Sequence, residues 1–151
     1  MGTNATPSSA YKQVDVETAS QGKLIVLLFN GAIQRAEEAK RLMQDTPLDV
    51  PAIHNTLIRA QDIVSELRSA LDMSAGDVAE NLDRSYEYFH HLLVQANISK
   101  DSVFLEECIP LMTVIRDTWE ELFGKLAHEN EMPIERPAIN PHGASVLNIK
   151  G

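Results

Sequence analysis

The sequence predicts an all-α fold, an antiparallel up-down four-helix bundle with a flexible N-terminal arm, a C-terminal tail and room for a fifth short helical segment. Three observations carry this prediction. Four stretches repeat apolar side chains at steps of three and four. The connections between them are short, near 44–49, 73–77 and 98–101, which favours antiparallel neighbours. No stretch of any length alternates with the period of two that a half-buried strand requires. The expected organisation is an arm over 1–17, a helical bundle over 18–128 and a Pro-containing tail over 129–151.

Residues 1–17 are polar and irregular, with Pro7 and the pair Ser8-Ser9, and read as an arm rather than a packed element. Thr18 followed by Gln21 has the form of a capping box, and Ile25, Leu28, Phe29, Ala32, Ala36, Ala39 and Met43 then mark one stripe of a helix ending near Gln44. The second helix opens at Asp49 with Pro51 in its first turn and carries Ile53, Leu57, Ala60, Ile63, Val64, Leu67 and Leu71. The third opens at Asp77, with Glu80 as box partner, and carries Val78, Leu82, Tyr86, Phe89, Leu93 and Ala96. The fourth begins near Asp101 or Ser102 and carries Leu105, Cys108, Met112, Ile115, Trp119, Leu122 and Leu126. Pro110 lies inside it and is expected to kink or divide it. Pro133, Pro137, Pro141 and Gly143 prevent that helix from continuing through the tail.

Composition narrows the function. A chain of 151 residues, 44% hydrophobic, is long enough for one core and too apolar for wholesale disorder. Its single cysteine excludes a disulfide scaffold and a Cys-rich zinc module. The longest apolar run, Leu24 to Phe29, is six residues, against about 20 for a membrane span, so no direct membrane insertion is expected. No secretory signal pattern is recognisable, and a cytoplasmic location is expected. The net charge is −9, unevenly spread: seven basic and nine acidic side chains fall in 1–75, six and thirteen in 76–151. Nucleic acid is therefore an unexpected partner. The nearly neutral first half is the expected site of any apolar binding surface.

Catalytic patterns are thin, and neither a catalytic residue, a metal site nor a cofactor is expected. Glu87-Tyr88-Phe89-His90 matches one Glu-x-x-His element of a di-iron bundle, but no other histidine has a Glu three residues before it. His90 and His91 permit a histidine phosphotransfer reading, because such domains are four-helix bundles. Their apolar flanks instead suggest partly buried packing residues. Cys108 falls on an apolar stripe and reads as a small buried hydrophobe. A structural oligomerisation bundle is the third alternative. The most unusual local feature is Leu24 to Phe29, which makes the first helix apolar all round for nearly two turns. One side of it then either meets a neighbour or waits for a partner's apolar helix. Gly31, costly inside a helix, would permit close backbone approach on the same side.

The first helix and its lead-in also carry a resemblance. Tyr11, Val16-Glu17-Thr18-Ala19-Ser20, Lys23-Leu24-Ile25 and Leu28-Phe29-Asn30-Gly31-Ala32-Ile33 resemble the flagellar secretion chaperone FliS family. The match continues through Arg59 to Leu67, Val78 to Leu82, Tyr86-Glu87-Tyr88, Leu93 to Asn97 and Ile115 to Trp119. Two departures stand out: Gln21-Gly22 replaces the family's usual Pro-Glu, and Phe29-Asn30-Gly31 its usual Tyr-Asp-Gly. The resemblance implies a non-enzymatic bundle that binds the disordered C-terminal segment of flagellin, prevents premature polymerisation and presents the cargo to a membrane component of the type III export gate. Other flagellar regulators are further implied partners. Client contacts are expected at Ile25, Leu28, Phe29 and Gly31, gating and export-gate contact at Tyr11, and a helix-end or client contact at Asn97. Tyr86 and Trp119 are expected in the core. In the tail, Ala144 to Ile149 forms a small apolar segment after a Pro-rich spacer, which either stays disordered or docks in its own or a neighbour's client groove.

Overall fold

The computed structural model describes residues 7–131, with side chains over 20–124. All of its regular structure is helical: α1 (Pro7–Leu42), α2 (Val50–Ser69), α3 (Asp77–Ser99) and α4 (Val103–Glu131), with a short 3-10 turn at Met73–Ala75 before α3. Each of α1 and α3 packs against both α2 and α4, which closes a four-helix ring. The cross-contacts run in opposite numerical directions. Gly22 lies against Phe123 and Asn30 meets Arg116, while His54 meets Asn97 and Arg68 meets Asp83. Neighbouring helices are therefore antiparallel.

The ends follow local chemistry, with three differences from expectation. As expected, Asp49 caps α2, its Oδ1 accepting from the Ala52 backbone N–H at 3.1 Å with Pro51 in the first turn. α1, however, begins at Pro7, so Thr18 lies well inside it rather than at its start. Proline is preorganised for a first helical turn, and no helix-breaking proline follows it within α1. α3 is capped by Gly76 at φ +83° without a side-chain hydrogen bond, and Asp77 and Glu80 sit in its first turn, facing the positive end of the helix dipole. Pro110 does not divide α4. It is exposed, as is Glu106, so the carbonyl that loses its amide partner lies on the solvent side, where water can satisfy it.

The core is built from the stripes. Phe29, Ala32, Ala36 and Ala39 of α1 and Ile53, Leu57, Ala60 and Val64 of α2 are fully buried. Tyr86, Phe89, Leu93 and Ala96 join them from α3, and Leu105, Cys108, Met112 and Trp119 from α4. The Cys108 thiol is held against the Phe89 carbonyl at 3.8 Å, and burial pushes its pKa up to about 12, which leaves it inert. Gly22 has a packing role. A Cβ there would lie 2.2–2.5 Å from three ring carbons of Phe123, so the bare backbone is what lets that ring lie against α1.

Gly22→Ala would gain up to about 1 kcal/mol in helix propensity, but the Phe123 ring must shift as a whole to admit the methyl group. We predict a net loss of about 1–2 kcal/mol in urea unfolding, because overpacking costs about 1–3 kcal/mol. In a Phe123→Ala background the same change becomes neutral or stabilising.

Candidate functional site

Most apolar positions of α3 and α4 point inward, but a second set does not. Val78, Leu82, Ser85 and Tyr88 of α3 face Leu111, Val114, Ile115, Thr118 and Leu122 of α4 across two open hollows. The larger, about 410 Å³, is bounded by Arg84, Ser85, Tyr88, Phe89, Leu111, Val114 and Ile115. The smaller, about 270 Å³, is bounded by Val78, Leu82, Ile115, Thr118, Trp119 and Leu122. Ile115 lines both, so the two form one groove along the α3–α4 face. Val114 is 63% and Val78 46% exposed, values a bundle core does not leave on its own stripes.

The floor of the groove is anchored in the core. The Trp119 indole N–H donates to the Tyr86 hydroxyl at 3.3 Å, and the Tyr86 ring meets Phe29 edge-on at 5.7 Å between centroids. Burial pushes the Tyr86 phenol up to about 12. Phe123 stacks on Trp119 at 5.5 Å, joining this cluster to Gly22 of α1. At the lip, the Tyr88 hydroxyl donates to Glu107, which raises its pKa, and its ring stacks on His91. His91 is exposed, contrary to the expected partial burial, because it stacks on an exposed ring at the lip, whereas His90 is half-buried as expected. Among the described residues no group of three or more His, Cys, Asp or Glu is placed to hold a metal ion.

The residues singled out on α1 divide by face. Ile25 and Phe29 are buried in the core, and Leu28 is half-buried. Leu24 and Leu27, their sequence neighbours, are 55% and 59% exposed. Gly31 faces α2, where an added Cβ would lie 3.3 Å from Cδ1 of Ile63. Asn97 is buried at the end of α3. Its Nδ2 lies 3.0 Å from His54 Nδ1 on α2, and its side-chain and backbone oxygens accept from Lys100 Nζ. That arrangement ties α3 to α2 and closes the αL turn at Lys100. The side chains of Tyr11 and Leu126, and the tail segment Ala144 to Ile149, lie outside the described residues.

Sequence reasoning missed the groove because it placed Val78 with the core stripe, where it is exposed, and because Leu82, Ile115 and Leu122 pack on the core while also lining the groove. The available signal was a second stripe on α4, Leu111, Val114 and Thr118, offset from the buried one but equally regular. The groove also lies on the acidic half of the chain, not on the nearly neutral first half.

An open apolar groove between two helices has the geometry into which amphipathic helices dock in helix-in-groove recognition. Residues 3–126 match the family model described as flagellar protein FliS. The chain is 35% identical over 118 residues to the flagellar secretion chaperone FliS of Vibrio cholerae, covering 75% of this chain and 85% of that protein. It is 32% identical to the flagellar secretion chaperone FliS of Bacillus subtilis, covering 76% and 84%, and 32% identical to that of Salmonella typhimurium, covering 83% and 96%. The chain belongs to the FliS family of flagellar secretion chaperones. Asn30, where the family pattern has Asp, accepts a hydrogen bond from Arg116 Nη1 at 3.0 Å, so the α1–α4 link survives that departure.

The burial of Tyr86 yields a pH signature, which its hydrogen bond with Trp119 partly offsets. An unfolded tyrosine releases its proton near pH 10, whereas Tyr86 in the folded chain holds it to about 12. Folding stability is therefore intact below pH 10 on this account and falls as pH rises from about 10 to about 12. Tyr86→Phe leaves the indole N–H without its acceptor and should cost about 1–3 kcal/mol at neutral pH. Denaturant titrations should nevertheless show it declining less steeply than the parent across the alkaline window. Equal slopes would contradict the assignment.

Proposed function

We propose that this protein holds the C-terminal segment of flagellin, keeps it from polymerising early and delivers it to the flagellar type III export gate. The observation that carries the reading is the continuous apolar groove between α3 and α4. An amphipathic segment that folds as it binds places apolar side chains at i, i+3 and i+4 into such a groove, with modest affinity per area because it must order itself. That suits cargo which has to be released. The relatives named as flagellar secretion chaperones support the cargo class.

On this reading client contacts fall on Val78, Leu82, Leu111, Val114 and Ile115, with a separate set on α1 at Leu24, Leu27 and Leu28. Ile25 and Phe29 act from beneath by fixing the face that α1 presents, and Gly31 sets its distance from α2. Asn97 holds the far end of α3 in register. Tyr11 gates the client surface and contacts the export machinery. The work is binding without catalysis, and it takes place in the cytoplasm. No described helix is long and apolar enough to cross a membrane.

A flagellin C-terminal peptide of about forty residues, long enough to fold into the groove on binding, should co-elute with the protein in size-exclusion light scattering at tens of micromolar. Val114→Asp places a charge on the groove wall at a largely exposed position, so the melting temperature should stay the same while the peptide binds about tenfold or more weakly. Failure of the parent protein to co-elute would sink the reading. Undiminished binding by a folded Val114→Asp variant would move the client elsewhere.

A further inference from the structure

Beyond Glu131, where α4 ends, the sequence continues for twenty residues. We propose that one part of them, Ala144 to Ile149, docks in the α3–α4 groove of its own chain and acts as a built-in competitor for whatever binds there. The competitor role rests on the client reading above; the docking itself does not.

Four observations point to this occupant. The first is reach. Leu122, at one end of the groove, lies nine residues before Glu131, and Leu111, at the other, lies twenty before it. At 1.5 Å per helical residue these are roughly 14 and 30 Å of axis. The thirteen residues from Glu131 to Ala144 extend at most about 43–47 Å, enough to turn back and reach both hollows. The second is chemistry. Ala144-Ser145-Val146-Leu147-Asn148-Ile149 holds the densest apolar run after α4, whereas residues 1–6, before α1, contribute only Met1 and Ala5 as apolar side chains.

The third is spacing. The residues lining the two hollows are centred about 8–10 Å apart along the helix axes. In a polyproline II conformation, three residues per turn, Val146 and Ile149 fall on one face about 9 Å apart, so each can enter one hollow. The fourth is charge. Residues 136–151 contain Arg136 and Lys150 and no Asp or Glu, whereas α4 presents exposed Glu106, Glu107, Asp117, Glu120 and Glu121. A segment tethered at this range acts at millimolar effective concentration, so weak intrinsic affinity is enough to occupy the groove for much of the time. A client must displace it, and its apparent affinity falls by the fraction of time the groove is filled.

The test compares the full chain, a chain truncated after Pro137, and a full-length Val146→Asp/Ile149→Asp variant by methyl NMR of Val78, Leu111, Val114 and Ile115. Docking predicts that truncation and the double substitution shift these four resonances alike. A synthetic peptide of residues 138–151 at millimolar concentration should then restore the truncated chain's spectrum. Superimposable spectra of full and truncated chains would overturn the proposal. So would shifts that vanish on dilution, which would mean that a second copy supplies the segment. In parallel, the flagellin peptide should bind the truncated chain about two- to tenfold more tightly than the full chain. If that peptide binds neither chain, the client reading fails, while the methyl resonances still decide the docking. If it binds both equally, the competitor role is wrong and the chaperone reading stands.

Discussion

The hydrogen bond from Trp119 to Tyr86 is the contact on which the arrangement of this bundle turns. It joins α4 to α3 in the interior, and through the Phe29 ring it joins both to α1. Buried polar groups are costly when unpaired, so this donor and acceptor fix the register of the two helices more sharply than apolar contact alone would. Trp119 is also part of the groove floor. The same contact that sets the core therefore sets the spacing of Val78 and Leu82 from Ile115 and Leu122 on the outside. Gly22 completes the scheme by admitting Phe123, stacked on Trp119, against the α1 backbone.

Polar links at the periphery serve alignment more than stability. Arg68 meets Asp83 through two hydrogen bonds of 2.9 and 3.2 Å, and the guanidinium holds that carboxyl below its ordinary range. Both side chains are substantially solvated, so screening keeps the net contribution small. What the pair supplies is a fixed α2–α3 register at one end of the bundle, as Asn97 and His54 do at the other. On the outer α3–α4 face Tyr88 meets Glu107 at the lip, and the apolar side chains beyond it line the two hollows.

Much of the fold could be read from residue spacing. The four helices, their short connections and the Asp49 cap follow from steps of three and four and from turn chemistry, and the core placement of Tyr86, Trp119 and Cys108 follows from their stripes. The start of α1 was obscured because the polar composition of residues 7–17 weakens the periodic signal without forbidding a helix. The site was less legible. An apolar residue at helical spacing looks the same whether a neighbour covers it or a client will, and Val78, Leu82 and Ile115 are of that kind. On α1 the all-apolar circumference of Leu24 to Phe29 left both readings open; Leu24 and Leu27 are exposed, while Ile25 and Phe29 turn inward. Which face of a helix is left over depends on crossing geometry, and no single helix encodes it.

The central claim is that the α3–α4 groove receives the flagellin C-terminal segment. A photo-crosslinking side chain placed at Val114, with a control at exposed Leu48 near the start of α2, tests it in the presence of full-length monomeric flagellin. The expected result is an adduct from position 114, mapping within the last forty or so residues of flagellin, and none from position 48. An adduct from 48 without one from 114, or one from 114 mapping outside that segment, would contradict it.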